Sequence, residues 1–108
     1  MNRKKLFTKK FADDFEANYQ YIYKDSPQNA KKFAEELDSK IEKIKEQPTA
    51  FPPESALPTK KNWYRFAIFM NKWKVIYKVT SELLIFLAIV HTHRHEKQIK
   101  RIRTNKYQ

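Results

Sequence analysis

Residues 62–95, NWYRFAIFMNKWKVIYKVTSELLIFLAIVHTHRH, decide the fold of this chain. Two segments rich in aromatic and β-branched residues, 62–70 and 73–80, are followed by an apolar run, 83–90, with two-residue breaks between them. This pattern predicts three consecutive β-strands joined by short hairpin turns. Because every position of 83–90 is apolar, we expect that strand to lie in the middle of its sheet with both faces covered.

The preceding half of the chain predicts a helical hairpin. Apolar residues recur at helical spacing from Thr8 to about Tyr23, and again from Ser26 to about Glu46. Thr8 and Ser26 are suited to cap the two helix starts, and Pro27 fits a first helical position. A break of about three residues makes the helices antiparallel neighbours, and their apolar stripes need a surface to cover. The strands supply that surface.

The two ends of the chain complete an α+β fold. A short first strand is predicted at residues 6–7, which gives the element order β-α-α-β-β-β. After the last strand, only Ile99 and Ile102 interrupt a polar, basic sequence, and this pattern fits a short amphipathic helix and a basic arm equally well. We expect one domain, 1–108, with 96–108 as a basic C-terminal tail.

The composition excludes several classes of protein. The chain of 108 residues has no cysteine and no glycine, so it has neither disulfides nor the glycine loops of nucleotide-binding motifs. Its longest apolar run, 83–90, is far shorter than the roughly 20 residues that span a bilayer. The basic N-terminus leads into acidic residues instead of an apolar signal segment. We expect a cytoplasmic protein with no membrane partner.

The net charge of +11 is unevenly distributed. Residues 11–58 hold ten acidic and six basic side chains, whereas 59–81 hold six basic and no acidic ones. The positive field therefore belongs to the strands and the chain ends. It indicates a polyanion or an acidic protein as the partner on that side, the alternative being a basic surface that only maintains solubility.

The strand alternation suggests where the cations lie. If Arg65 shares a sheet face with the strand lysines, that face is a basic concavity and the opposite face meets the helices. The register that would decide this is not set by the sequence alone. Together with basic residues of the tail, the strand lysines form the predicted nucleic-acid-binding set: Lys74, Lys78, Lys97, Lys100 and Arg101.

The three histidines at the end of the last strand do not form a convincing metal site. His91, His93 and His95 alternate as strand ligands would, but there is no cysteine, the nearest acid is Glu96, and the surrounding charge repels a divalent cation. We therefore expect no metal and no other cofactor.

The same region carries groups suited to phosphodiester chemistry. Cleavage of RNA by its own 2′-hydroxyl needs a base, cations near the phosphorus, and an acid at the leaving oxygen. The predicted catalytic set is Arg65, His91, His93 and Arg94, with Tyr77 or Tyr107 as further candidates and Glu54 as the one nearby carboxylate. Each has a structural alternative: Arg65 could pair with a helix carboxylate such as Glu35, and His91 could simply cap its strand.

Several segments taken together resemble the RelE/ParE superfamily of toxins from type II toxin–antitoxin systems, which includes plasmid stabilisation proteins. These are FADDFEANYQYIYKDSPQNAKKFAEELDSKIEKIKEQP, WYRFAIF, KVIYKV and the apolar strand that closes on HTHR, and the likeness covers residues 5–95. The resemblance implies a helical hairpin packed on a small, twisted, mainly antiparallel sheet, and a cognate antitoxin as partner. It matches Arg65 to a Y-R motif, and His91 and Arg94 to an H-x-x-R motif.

The resemblance implies two different actions. RelE-like members cleave mRNA on the ribosome without a metal, whereas ParE-like members inhibit DNA gyrase and lack that catalytic set. Our leading expectation is a toxin that acts by metal-independent, ribosome-dependent mRNA cleavage. The alternatives are a ParE-like, non-enzymatic inhibitor of DNA gyrase and a non-toxic nucleic-acid-binding module. The expected partners are thus the antitoxin and either the ribosome with its mRNA or gyrase.

Overall fold

The computed structural model describes residues 3–93 and 96–104, except for the side chains of residues 103 and 104. Seven helices and strands follow in the order β1 (Lys4–Phe7), α1 (Lys9–Asp25), α2 (Pro27–Glu46), β2 (Tyr64–Phe69), β3 (Trp73–Val79), β4 (Leu83–His91) and α3 (Glu96–Thr104). The predicted order of strands and helices is confirmed. The described part of the tail, Glu96–Thr104, forms a helix, which favours the first of the two alternatives there.

A single residue, Ser26, separates α1 from α2 and caps both helices. The Ser26 N–H donates to the Ile22 carbonyl at the end of α1, and its hydroxyl oxygen accepts from the Asn29 N–H at 3.1 Å to cap α2. Pro27 then begins α2 with a fixed φ and no N–H to satisfy. At the other end of α1, the Thr8 hydroxyl accepts from the Phe11 N–H at 3.0 Å, as its position predicted.

The sheet is mixed, with strand order β1-β4-β3-β2. The last three strands form the predicted antiparallel meander, and β1 joins it in parallel beside β4. The prediction of a central β4 is confirmed. In register, Arg65 lies opposite Tyr77, and Trp73 lies opposite His91.

Each face of the sheet carries its own hydrophobic core. One face packs against α1 and α2 through a cluster that includes Phe11, Phe33, Ile44, Val75, Tyr77 and Phe86. The other face packs against α3 and the connection before β2, through residues that include Leu57, Ile76, Ile85, Leu87, Ile99 and Ile102. Because both faces are covered, β4 is buried at every position from Leu84 to Val90.

This arrangement corrects the predicted basic concavity. Arg65 shares the helix-facing side of the sheet with Ala67 and Tyr77, whereas Lys74 and Lys78 belong to the opposite side. The reason is the register: Lys74 pairs with Ile68 and Lys78 with Tyr64, so neither strand lysine lies opposite Arg65. The strand cations therefore do not form a single surface.

The chain turns without glycine by placing other residues at positive φ. Asn62 and Asn71 have φ of 53° and 58°, as expected for asparagine, and Met70 has φ of 54°. A methionine in this left-handed region is uncommon and strained. Within the described residues, no helix combines the length and the apolar character needed to cross a membrane.

Candidate functional site

An open cavity of ≈ 510 Å³, here called the hairpin cavity, lies between the helices and the turn that joins β2 to β3. Its size falls within the range of roughly 300–1,000 Å³ that is typical of ligand sites. The lining residues are Asn18, Tyr21 and Ile22 of α1, Asn29 and Lys32 of α2, Met70 and Lys72 of the turn, Trp73 of β3, and His91 of β4. No acidic side chain is among them.

The floor of the hairpin cavity is fixed by ring packing. The Trp73 ring meets Phe33 edge-on at a centroid distance of 5.2 Å and meets His91 in the same way at 5.5 Å. Next to it, the Thr92 N–H donates to the Lys72 carbonyl at 2.8 Å, which closes the end of the β3–β4 pair. The rim, in contrast, is exposed to solvent: Tyr21 is 73% exposed. A rigid floor with an exposed aromatic rim suits a binding surface.

His91 is half-buried in this cavity and His93 is exposed beside it. The two rings lie 5.2 Å apart, and the His91 Nδ1 accepts from the His93 N–H at 3.2 Å. This bond requires an unprotonated Nδ1, so a neutral His91 carries its proton on Nε2. Among the residues that the structure describes, no three His, Cys, Asp or Glu side chains are grouped to hold a metal.

Arg65 is held by backbone carbonyls. Its Nη1 donates to the Phe51 carbonyl at 2.6 Å and to the Thr49 carbonyl at 3.3 Å, in place of the helix carboxylate that was the structural alternative. Beside it, the Tyr77 hydroxyl donates to the Pro48 carbonyl at 2.6 Å. Burial raises the pKa of that hydroxyl far above its usual value, and the Arg65 charge offsets part of the rise. Arg65 and Tyr77 thus fasten the connection before β2 to the sheet.

Lys74 and Glu54 form a buried ion pair on the other side of the sheet. Their Nζ and Oε1 atoms lie 2.6 Å apart, and the two side chains are 15% and 3% exposed. The second Glu54 oxygen accepts from the Ala56 N–H at 3.0 Å, and the Lys74 ammonium also lies over the Phe66 ring. Each group has a partner inside the protein.

The remaining predicted nucleic-acid contacts lie elsewhere. Lys78 lies 5.0 Å from the centroid of the Trp63 ring. On α3, Lys97, Lys100 and Arg101 are exposed, while Ile99 and Ile102 anchor the helix to the sheet. Arg94 lies outside the described residues, as does Tyr107.

The structure therefore separates two members of the predicted catalytic set. Arg65 and His91 belong to the same side of the sheet, but His91 is in register with Trp73 and Phe69, four residues along β2 from Arg65. Four residues of strand span roughly 13 Å. The helical side of the hairpin cavity was not predicted from the sequence. Tyr21 gave a signal for it, as an aromatic residue outside the apolar stripe of α1.

The comparisons with known proteins agree with the fold. The family described as "ParE toxin of type II toxin-antitoxin system, parDE" matches residues 6–96. A solved structure, described as the chromosomal ParDE TA system from P. aeruginosa, is similar to this chain with a TM-score of 0.63 at 16% identity, over 82% of this chain and 95% of that one. At this identity the likeness concerns the fold alone. A search of curated proteins found no match to this chain.

Proposed function

Because the chain belongs to the ParE toxin family of type II toxin–antitoxin systems, we propose that it stops growth by binding its target without cleaving it, as an inhibitor of DNA gyrase. Membership of the family implies an antitoxin as a partner. The proposal concerns the target and the mode of action. The sequence alone favoured mRNA cleavage over inhibition of gyrase, whereas this proposal favours inhibition of gyrase.

The separation of Arg65 from His91 carries this proposal. A catalytic acid or base must come within about 3 Å of the proton it transfers, and a cation must touch the same phosphate. Groups roughly 13 Å apart along the sheet do not act together on one phosphodiester. Moreover, the Arg65 Nη1 atom, Lys74 and Glu54 are already engaged with partners inside the protein. Binding demands less of the geometry than catalysis does.

The hairpin cavity is the binding surface that we propose for the target. The exposed Tyr21 and the half-buried Trp73 and Met70 are of the residue types that are enriched in protein interfaces. Lys32 and Lys72 add positive charge without an acidic neighbour in the lining. We infer that the target presents an acidic segment with an apolar anchor to this cavity.

A supercoiling assay with purified gyrase tests the proposal. Wild-type protein should inhibit supercoiling, and Tyr21→Ala or Lys32→Ala should weaken inhibition about tenfold, as the loss of an interface anchor does. Tyr23→Ala and Lys31→Ala are matched controls, because these exposed neighbours on the same helices do not line the cavity. Full supercoiling at saturating protein, or equal effects of the control and test variants, would contradict the proposal.

Ribosome-dependent mRNA cleavage is the second candidate, and one observation favours it. His91 lines the hairpin cavity together with Lys32 and Lys72, which brings a proton donor and two cations to one place. In this alternative His91 is the acid, through the proton on its Nε2, while His93 and Arg94 assist it and Arg65 acts only on the substrate backbone. Primer extension on mRNA from induced cells distinguishes the candidates, since cuts within codons that disappear in His91→Ala require the nuclease. The absence of growth arrest on induction would favour the non-toxic binding module instead.

A further inference from the structure

A second cavity, here called the end cavity, lies at the end of the sheet away from His91. It has a volume of ≈ 180 Å³ and lies where the residues before β1, the start of β2 and the turn between β3 and β4 meet. Three of its lining side chains are cationic, and none is acidic. The cations are Arg3, Lys61 and Arg65.

Arg65 contributes an unsatisfied donor to this place. Its Nη1 atom is engaged by two carbonyls, but its Nε is buried and has no hydrogen-bond partner. Buried polar groups in folded proteins almost always have a partner, so an orphaned guanidinium N–H on a residue that lines a cavity indicates a missing acceptor. The Nε edge of a guanidinium is one that an oxyanion binds with two parallel bonds.

The other two cations reinforce the site. The Arg3 Nε donates to the Thr80 carbonyl at 2.7 Å, which holds that guanidinium at the cavity wall. Lys61 is exposed and forms no ion pair with the acidic side chains that the structure describes. Thr49 and Ser81 also line the cavity, and both are residues with a neutral hydroxyl donor. Three positive charges and several donors around a small space suit an oxyanion.

The size and the neighbourhood of the cavity identify the kind of oxyanion. A volume of ≈ 180 Å³ holds one phosphate group but is too small for a whole nucleotide. Trp63 lines the same cavity and is 39% exposed, so a base attached to the phosphate would meet an indole ring. Cations beside an exposed aromatic ring form the usual combination for single-stranded nucleic acid, where bases are free to stack.

We propose that the end cavity binds a backbone phosphate of single-stranded nucleic acid, through Arg3, Lys61 and the Nε of Arg65, with a neighbouring base stacked on Trp63. This contact is separate from the hairpin cavity and does not depend on gyrase as the target. It adds a nucleic-acid contact to a toxin whose proposed inhibitory surface binds protein.

NMR titration of the whole chain tests this proposal directly. The Arg65 Nε–H and the Trp63 indole N–H each give a signal that reports on one side chain, and the probes are inorganic phosphate and a short oligothymidylate. Phosphate should shift the Arg65 signal, and the oligonucleotide should shift both signals and bind more tightly. Lys61→Ala should weaken oligonucleotide binding several-fold and reduce the slope of log affinity against log salt by about one. Lys60→Ala, which removes an exposed neighbour outside the lining, should leave the shifts unchanged.

Three results would overturn the proposal. The first is that neither probe moves the Arg65 signal at saturation. The second is that Lys60→Ala and Lys61→Ala weaken binding equally, since this would mean diffuse attraction to a basic surface. The third is that an acidic peptide moves both signals while the oligonucleotide moves neither, because the cavity would then accept a carboxylate. None of these results bears on the supercoiling assay, so the two proposals fail independently.

Discussion

Replacing Arg65 by alanine should destabilise the protein as well as change its surface. The Nη1 bond to the Phe51 carbonyl, at 2.6 Å, is a hydrogen bond from a charged donor, which typically contributes about 1.5–3 kcal/mol. The second bond, at 3.3 Å, adds little. We therefore expect Arg65→Ala to lower the free energy of unfolding by about 2 kcal/mol. For a domain of this size that corresponds to a fall of roughly 8 to 10 °C in Tm.

Thermal unfolding followed by circular dichroism measures this change, with urea unfolding as a second measurement. Arg65→Lys should fall between the wild type and the alanine variant, because lysine keeps the charge but loses the planar fork. Lys61→Ala is the matched control, because it removes a nearby exposed cation that makes neither of these two carbonyl bonds. Its effect on stability should stay within about 0.5 kcal/mol.

The toxicity of Arg65→Ala distinguishes a structural role of Arg65 from a catalytic one. Below its lowered Tm the variant should still inhibit gyrase, because the hairpin cavity lies at the other end of the sheet. An unchanged Tm together with a complete loss of growth arrest would refute this reasoning. It would return Arg65 to the catalytic role that the sequence suggested.

Three further changes have expected outcomes. Lys74→Ala should cost about 3 kcal/mol in urea unfolding, because it leaves the buried Glu54 unpaired, and replacing both by apolar residues should recover much of the loss. Tyr77→Phe should cost about 1–2 kcal/mol near neutral pH, since the Pro48 carbonyl loses its donor. Burial raises the Tyr77 pKa in the folded protein, so the wild type should lose stability as the pH rises above about 10, where unfolded tyrosine ionises, and the difference from Tyr77→Phe should shrink in urea unfolding at high pH. Asn71→Ala should lower Tm by the equivalent of about 1 kcal/mol because of its φ of 58°, while Asn71→Gly should be nearly neutral.

Local signals predicted the helices and strands well. The predicted α2 agrees with the observed Pro27–Glu46, because Ser26 and Pro27 define its start and Pro48 follows its end. The central position of β4 also followed from sequence, since an unbroken apolar strand needs cover on both faces. These features depend on residues that are close together in the chain, so they can be read from one sequence.

The site depended on contacts between distant residues. The turn after Phe69 sets the register of β2 and β3, and this register places Arg65 opposite Tyr77, away from the strand lysines. The carbonyl partners of Arg65 come from the proline-rich connection, whose path no periodic pattern describes. The helical form of Glu96–Thr104 follows from the burial of Ile99 and Ile102 against the sheet, a tertiary effect that decides where the local pattern is ambiguous.

The central position of β4 also bears on how the toxin is made. This strand joins β1 to the β2–β3 hairpin, yet Leu83–His91 is translated after α1, α2, β2 and β3. The first strand pairs Lys4 with Leu83, so β1 must wait for a partner that is synthesised after both helices of the hairpin and two further strands. A nascent or prematurely terminated chain that lacks β4 has no central strand, and it lacks His91 in the floor of the hairpin cavity. Toxicity should therefore require that Leu83–His91 has been synthesised.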